Sequence, residues 1–339
     1  MRDRLNRLGL NLLAVVIAAA FAGAVTSIIL LARGDSPTFV ISQMWDFGTQ
    51  ASSELTIVNT ATYYYFSAIA VAIGFRMNLF NIGVDGQYQL AACLAAAFGG
   101  SVALPNGLRQ FAIIVVAMLV GAAWAGLVAL LKVTRGVSEV ISSIMLNFIA
   151  TGLIAFLMRP SILGVRSGSN DITTKPIPAS GRIQGLDLIP NSGGKVFGLI
   201  VLAVVIGVGF QLVVNRTRFG FDLRASGRSL TAARASGVNV TRMVVISLLA
   251  SGAIAGLVGM PILLGDAHSY SAITFPTGLG FTGIAIALLG RNNPLGIAFA
   301  ALLWAFLDQS AQILDLNGIP KEVVQITQGV VVLSVVVAY

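Results

Sequence analysis

The sequence predicts an all-α polytopic membrane protein with about ten transmembrane helices, and three observations lead to that fold class. Of its 339 residues, 56% are hydrophobic and only 10% are charged, whereas soluble domains carry about 25% charged residues. The mean hydropathy is +0.89. The apolar residues are gathered in long runs, and a transmembrane helix needs roughly 20 mostly apolar residues. Lipid offers no partners to the backbone, so continuous runs of this kind are expected to be helical.

Ten apolar runs are candidate spans. The first follows a basic N-terminus typical of a signal peptide, but its apolar part exceeds a signal core, so we expect a retained first span. The eighth and ninth are short, and they form either two spans or one broken unit. The runs lie at 8–31, 55–75, 87–103, 111–131, 138–158, 196–215, 242–264, 279–290, 295–308 and 322–339.

The distribution of Lys and Arg predicts the orientation. If the N-terminus lies inside and the spans alternate, thirteen of these residues fall on inner segments and eight on outer segments. Cytoplasmic loops collect Lys and Arg, so we expect both termini in the cytoplasm. The net charge of +8 is then explained by inner loops in contact with membrane lipid, and nucleic acid is not expected as a partner.

The spans suggest one transmembrane domain over 1–339. Five spans fall within 1–158 and five within 196–339, on either side of an outer loop at 159–195 that is rich in Pro, Gly and Ser. That loop is either an ordered external loop or partner-docking surface, or a flexible connector. The equal numbers suggest two related halves, as in many transporters, although no sequence repeat supports this.

Glycine, cysteine and histidine residues give three further, more local predictions. Gly252 and Gly256 have the spacing of a small-residue helix crossing. Cys93 has no second cysteine to pair with and lies in an apolar run, so we expect a packed thiol. With His268 as the single histidine, no His-based metal cluster is expected, and we predict no metal site.

Two spans carry polar residues on helical stripes, and such groups face the interior or a water-filled cavity. Each set either lines a substrate path or makes interhelical hydrogen bonds worth ~0.6–2 kcal/mol each. For a single Ser or Thr we favour an interhelical hydrogen bond, and for each set as a whole we favour the lining of a substrate path. The aromatic run 63–66 either stacks on a flat ligand or forms a packing layer. The stripes are Glu139, Ser143, Asn147 and Thr151 in the fifth span, and Asn59, Tyr63 and Ser67, beside Thr56, Thr60 and Tyr64, in the second.

Two polar stretches interrupt the apolar pattern on the inner side. The first, 74–90, joins spans two and three. The second is the inner segment 216–241, which holds five arginines and predicts a short amphipathic helix at about 229–235. Gly237 would end that helix, because glycine tolerates a positive φ. The helix either meets anionic lipid heads or docks a cytoplasmic partner.

Four stretches resemble the permease subunits of bacterial ABC importers, in the ribose and branched-chain amino-acid group. They are most similar to its nucleoside (purine riboside) and simple-sugar branch, and the resemblance spans nearly all of 55–339. Members more often carry Glu where this chain has Asp85. The stretches are GFRMNLFNIGVDGQYQL, EVISSIMLNFIATGL, GRSLTAARASGVNVTRMVVISLLASGAIAGLVG and GIAIALLGRNNPLGIAFAALLWA.

The resemblance implies a type II ABC-importer fold, like that of cobalamin importers, with ten helices and two pseudo-related halves. It also implies sites. Residues 228–238 match the segment that couples to an ATPase, with Arg228, Ala232, Ala233, Arg234 and Gly237 as candidates. The turn after the second span is expected near the inner end of the path, with Phe80 as a blocking ring and amides that bind sugar hydroxyls. Asp85 is expected there too, or as a cap of the helix that follows it. The candidate path and gate residues are Asn59, Tyr63, Asn78, Phe80, Asn81, Asp85, Gln87, Ser143 and Asn147.

The chain lacks a Gly-x-x-x-x-Gly-Lys-Ser/Thr phosphate loop, so we expect a transport subunit that is not an enzyme and binds no cofactor. The family implies ATP and Mg on a separate ATP-binding subunit. It further implies a second permease, identical or homologous, and an extracytoplasmic substrate-binding lipoprotein, all at the cytoplasmic membrane of a bacterium.

The predicted substrate is a nucleoside or a similar neutral polar solute, because no charge pair is expected at mid-membrane. A simple sugar such as ribose, or a branched-chain amino acid, is the alternative. An ion-coupled secondary carrier is the alternative from another class. It requires ionisable residues inside spans, and only Glu139 and Asp308 come near, both toward predicted span ends.

Overall fold

The computed structural model describes residues 20–167 and 171–337. Two short strands, β1 (Val165–Ser167) and β2 (Asp171–Thr173), pair antiparallel, and the rest of the regular structure is helical. The helices are α1 (Ala20–Arg33), α2 (Pro37–Gly48), α3 (Ala51–Phe75), α4 (Val84–Ser101), α5 (Leu108–Arg135), α6 (Glu139–Leu157), α7 (Ile200–Arg216), α8 (Arg218–Arg228), α9 (Leu230–Ala235), α10 (Val240–Ala255), α11 (Met260–Ile262, continued by a π turn at Leu263–Ala267), α12 (Leu279–Leu289), α13 (Pro294–Leu316) and α14 (Glu322–Val337).

The all-α polytopic fold class is confirmed. Within the described residues, five helical segments are long and apolar enough to cross a membrane, namely α3, α5, α6, α10–α11 and α13. The bent pairs α1–α2 (114°) and α7–α8 (74°) raise that number to seven. The remaining predicted spans coincide with α4, α12 and α14. The part of the first predicted span before Ala20 lies outside the described residues, and the division into two halves stays a prediction.

Helix α12 is a half-length span. Its 11 residues measure about 17 Å, short of the roughly 30 Å hydrocarbon core. Its start is held deep in the protein, because Ser67 Oγ donates a hydrogen bond to the carbonyl oxygen of Leu279 (2.7 Å). Its end lies beside Arg76, which donates to the carbonyl oxygen of Asn292. Ser67 precedes Arg76 by about 14 Å along α3, so α12 runs parallel to the half of α3 that ends at Arg76.

Helix α13, by contrast, is a full span. It continues to Leu316, well beyond the predicted end at 308. The expectation that Asp308 lies toward a span end was therefore wrong. The apolar run was cut short by the polar residues Asp308, Gln309 and Ser310, which the helix carries on partly buried or buried positions.

The core is organised around α3 and the crossing of α5 with α10. Phe66 and 68–72 of α3 are completely buried. The predicted small-residue crossing is confirmed, since a Cβ at Gly256 would overlap the carbonyl oxygen of Ala117, and one at Gly121 would overlap that of Gly252. Cys93 is fully buried, as expected.

The described part of the loop 159–195 is tied down by backbone hydrogen bonds. Thr174 N donates to Tyr270 O (3.0 Å), Ile177 N to His268 O (2.7 Å) and Ile183 N to Leu264 O (2.9 Å). Through these bonds the loop lies against the π turn that continues α11 and against the segment that follows it. Of the two alternatives for this loop, the ordered one is therefore found, whereas its location outside the membrane stays a prediction.

Candidate functional site

The connection between α3 and α4, residues 76–83, is a polar turn that folds back into the protein. It begins at Arg76, level with the turn before α13. It leads directly to Asp85, whose carboxylate lies beside Gly280 at the deep start of α12. Asn78 adopts φ +56°, in the left-handed region that asparagine tolerates, and this lets the chain reverse. The polar stretch therefore reaches from the Arg76 end of the core to the level of Ser67, about 14 Å along α3.

Asn81 and Gln87 hold this turn together. Their side-chain amides form a reciprocal pair, with both N–H···O distances at 2.9 Å. Asn81 Nδ2 also donates to Ser251 Oγ (2.8 Å), which in turn donates to the carbonyl oxygen of Ala70 (2.6 Å). Both amide side chains are buried. Their hydrogen-bonding groups are engaged within the protein, so in this conformation they fix the turn against α10 and α3.

Asn147 joins the turn to α6. Its Oδ1 accepts from Gly86 N and its Nδ2 donates to Ile82 O, each at 2.9 Å. Ser143, one turn earlier, is buried and packs against Gly83, while its hydroxyl bonds to the carbonyl oxygen of Val140 in its own helix. These two residues of the fifth-span stripe therefore lie at the turn.

The ends of that stripe lie elsewhere. Glu139 forms an ion pair with Lys132 of α5. Thr151 is exposed and bonds to the carbonyl oxygen of Asn147. The stripe is thus not one continuous polar surface.

Asp85 lies between two helix starts. It is the second residue of α4, and its Oδ2 accepts from Gly280 N (3.1 Å) in the first turn of α12. The expectation that it caps the helix it precedes was wrong, because Gly83 occupies the N-cap of α4 and the carboxylate bonds to α12 instead. Its Oδ1 is buried and has no hydrogen-bond partner among the described residues. Both helix dipoles favour a negative charge here.

Asn78 and Phe80 are the exposed part of the turn. Phe80 is 42% exposed, and its ring packs edge-on against Phe75, with 5.0 Å between centroids. Asn78 is exposed as well. They are the candidate gate residues with free surface at the Arg76 end of the core.

Asn59 and Tyr63 lie far from the turn. Asn59 precedes Arg76 by about 25 Å along α3. Its side chain binds the backbone just before α7, accepting a hydrogen bond from Phe197 N (2.7 Å) and donating one to Lys195 O (3.3 Å). Tyr63 donates to Thr60 Oγ1 (3.1 Å) in its own helix. Tyr63 is the middle residue of α3. The predicted path residues therefore form two groups, one at the turn and one in the middle and the far half of α3.

A buried polar cluster lies beside Tyr63. Its ring packs edge-on against that of Tyr64, with 5.0 Å between centroids. The hydroxyl of Tyr64 donates to Asp308 Oδ2 (2.5 Å), and Gln328 Nε2 donates to Asp308 Oδ1 (2.7 Å). This cluster links α3, α13 and α14.

The inner segment 216–241 forms α8, α9 and the turn into α10. The predicted short helix is confirmed as α9, with Ser229 Oγ accepting from Ala232 N (3.2 Å) at its start. Gly237 follows with the predicted positive φ, +82°. Of the candidate coupling residues, Arg228, Ala232, Arg234 and Gly237 are exposed and Ala233 is buried in the chain's own core. A cavity of about 470 Å³ opens beside Gly237.

Helix α8 touches the polar turn directly. A Cβ at Gly227 would overlap the carbonyl oxygen of Arg76 and come within 3.1 Å of Met77 Cα. Burial, and after it the positive charge of Arg224 on α8, lower the pKa of Arg76. The inner segment and the turn are thus one packed unit.

Several of these contacts have no signal in the sequence. Ser251 and Gly280 are separated from their partners Asn81 and Asp85 by 170 and 195 residues, so no local spacing points to them. Ser67 was part of the second-span stripe, but its role in holding the start of α12 depends on tertiary structure. Within residues 20–167 and 171–337, no group of three His, Cys, Asp or Glu side chains is placed to hold a metal ion.

Comparison with known proteins places the chain in a family. The family model for the branched-chain amino acid transport system permease component matches residues 54–336. A guanosine ABC transporter permease, NupP of Bacillus subtilis, is 34% identical over all of this chain and 96% of its own length. A nucleoside ABC transporter permease, NupB of Lactococcus lactis, is 28% identical over 97% of this chain and 92% of its own.

A glucose ABC transporter permease, TsgB13 of Haloferax volcanii, is 31% identical over 80% of this chain and 72% of its own length. No solved structure matches. The family match covers most of the described helices and the whole polar turn. The chain therefore belongs to the family of branched-chain amino acid transport system permease components, and it is a multi-pass membrane subunit of an ABC transporter.

Proposed function

We propose that this chain forms the membrane pathway of an ATP-driven importer of nucleosides. The observation that carries the proposal is the similarity, over the whole chain, to a permease named for guanosine. The site chemistry supports it, because the candidate gate offers neutral polar and aromatic groups, Asn78 and Phe80, at its exposed inner end. The ion pairs Arg33–Asp35 and Lys132–Glu139 lie at helix ends, which is consistent with a path for an uncharged solute.

We propose that two ATP-binding subunits, which hold ATP and Mg²⁺, grip the exposed face of α8 and α9. A movement of α8 would pass to Arg76 and Met77 through the contact at Gly227. The polar turn then shifts together with the helices to which it is bonded, because Asn81 connects it to α10 and Asn147 connects it to α6. Phe80 moves with the turn and opens or closes the inner end.

The same arrangement supports an orientation in the membrane. The basic segments 216–241 and 290–293 lie at the Arg76 end of the core, and cytoplasmic loops are basic. We therefore place this end, and both termini, in the cytoplasm of a bacterium. The loop 159–195 then lies outside, where a substrate-binding lipoprotein would dock. A second permease, identical or homologous, would complete the pathway.

The experiment is uptake by the whole assembly. The full chain, tagged, is purified from its native membrane together with the subunits that accompany it, and the assembly is reconstituted in proteoliposomes with its binding protein. We expect labelled guanosine to accumulate with ATP and not with a non-hydrolysable analogue. Unlabelled adenosine should compete, whereas ribose and leucine should not.

Each alternative gives a distinct result. Competition by glucose or ribose alone would support a sugar permease, which the similarity to TsgB13 makes the nearest alternative. Competition by leucine alone would support an amino-acid permease. Uptake driven by an ion gradient without nucleotide would support the ion-coupled carrier, for which Asp308 inside α13 provides a partly buried ionisable group.

A further inference from the structure

A groove on the outside of the helical core remains unassigned by the transport path. It has a volume of about 430 Å³ and lies between α3, α7 and α13. Its floor is built from small side chains, among them Ala61, Ala203, Gly207 and Ala298. From Ile200 to Leu212 it follows α7 for about 18 Å, slightly more than one leaflet of a roughly 30 Å hydrocarbon core.

The groove opens toward the surroundings of the protein. Its rim on α7 is the row Val204, Val208 and Leu212, spaced four residues apart, and each is more than half exposed. The hydroxyl of Thr62, on the opposite wall, is bonded to the carbonyl oxygen of Val58 in its own helix. No Asp or Glu lines it. All three bordering helices belong to candidate membrane spans, so the rim faces the membrane.

One end of the groove is basic. Arg216 continues the row of Val204, Val208 and Leu212 by one more turn of α7, so it lies on the same face, and it is exposed. Arg291 is exposed on the turn that precedes Pro294, and Pro294 lines the same end of the groove. The apolar groove thus has the length of one leaflet, and the chain positions next to one of its ends carry two exposed arginines.

We propose that this groove binds an anionic phospholipid, with one acyl chain along α7 and the phosphate at Arg216 and Arg291. The length of the groove matches a chain in one leaflet, and its apolar walls match the hydrocarbon. Arginine binds phosphate oxygens through paired N–H donors. Basic pockets between transmembrane helices are suited to anionic head groups. The inference does not depend on the transported substrate. The proposed orientation adds only that the lipid belongs to the inner leaflet.

The test is lipid retention by the purified full chain, measured by native mass spectrometry after exchange into mild detergent with defined lipids. The wild type should retain phosphatidylglycerol in preference to phosphatidylcholine. Each arginine contributes about fivefold to affinity. Arg216→Gln should therefore weaken retention about fivefold, and Arg216→Gln with Arg291→Gln about 30-fold. Ala298→Trp, which fills the groove, should abolish retention of both lipids at this site.

Matched controls separate the site from general lipid contact. Arg135→Gln removes an exposed arginine at the end of α5, and Ala155→Trp adds the same bulk on an exposed position of α6. Both controls should retain lipid like the wild type, and all variants should elute as one monodisperse species. Equal retention of the two lipids, or full retention by Ala298→Trp, would overturn the proposal. So would a photo-crosslinker at Val208 that captures a polypeptide rather than lipid.

Discussion

Single amide side chains set the geometry of the polar turn. Asn147 contacts the backbone on both sides of the start of α4, at Ile82 and at Gly86. Asn81 and Gln87 satisfy each other and reach Ser251 on α10. Inside a membrane protein such groups have no water to replace a lost partner. Loss of one of these amides should therefore destabilise the turn more than loss of a hydrogen bond at a water-exposed position would.

Asn147→Ala should lower the stability of the protein. The change leaves Gly86 N and Ile82 O without partners, and unsatisfied buried groups cost about 1–3 kcal/mol each. We expect a loss of about 2 kcal/mol or more, seen as a lower midpoint of thermal unfolding of the detergent-purified chain. Thr151→Ala, one turn further on an exposed position, serves as the control and should change the stability by less than about 0.5 kcal/mol. Equal midpoints for the two variants would contradict this role for Asn147.

At the scale of elements, glycines decide how closely helices approach. Gly252 and Gly256 bring α10 against α5 with backbone in contact with backbone, so the crossing has no room for even a methyl group. Gly126, on the same helix α5, meets only the flexible end of Leu249. These two environments predict opposite outcomes for one and the same substitution.

Gly256→Ala should destabilise the protein although alanine favours helices. The new Cβ meets the carbonyl oxygen of Ala117, so the helices must separate at a cost of about 1–3 kcal/mol. Gly126→Ala gains roughly 0.5–1 kcal/mol of helix preference and meets only a side chain that can move. Thermal unfolding should rank Gly256→Ala below the wild type and Gly126→Ala at or above it. The reverse order would mean that the α5–α10 crossing is looser than the structure shows.

Gly237→Val should leave the protein in the membrane but uncouple it from ATP. A β-branched residue is strained at φ +82°, so the turn after α9 and the surface proposed to meet the ATPase would be distorted. The ~1–2 kcal/mol cost of a left-handed residue lowers the population of the native turn about tenfold, and we expect ATP-driven uptake to fall with it. Gly237→Asn is the control, because asparagine tolerates that conformation. Normal uptake by the valine variant would remove α9 from the coupling surface.

The sequence predicted which segments are helical better than it predicted where each helix begins and ends across the membrane. Long apolar runs identified the spans, and the spacing of Gly252 and Gly256 identified one crossing. The short eighth run, 279–290, matches α12 (Leu279–Leu289), whereas the full length of α13 was missed. The start of α12 is fixed by Ser67 and Asp85, which are about 200 residues away in the chain, and the end of α13 is polar because it faces the cluster around Asp308. Depth and register depend on partners that local composition does not reveal.

For the whole molecule, the contact between α8 and the polar turn joins the surface proposed for ATP-driven movement to the proposed gate. The contact consists of the backbone of Gly227 against that of Arg76 and Met77. Arg76 extends it to the turn before α13 through the carbonyl oxygen of Asn292. A displacement of α8 therefore acts on two inner turns at once.

Gly227→Ala should separate ATP hydrolysis from transport. The added methyl group pushes α8 away from the polar turn while the exposed face of α9 is unchanged. In proteoliposomes we expect the assembly to hydrolyse ATP at a rate near that of the wild type and to take up several-fold less substrate. Gly209→Ala, on a position with open space around it, should behave as the wild type. Uptake that stays proportional to hydrolysis in the Gly227 variant would refute transmission through this contact.

The Tyr64–Asp308–Gln328 cluster has a consequence for biosynthesis. A lone Asp at the centre of an inserting helix costs about 2.5–3.5 kcal/mol. Tyr64 precedes Asp308 in the chain and Gln328 follows it. When α13 leaves the ribosome, α3 already offers a hydroxyl to its carboxylate, whereas the amide of α14 arrives last. The order of synthesis therefore affects assembly. We expect α13 to insert into the bilayer efficiently only when α3 has been inserted before it.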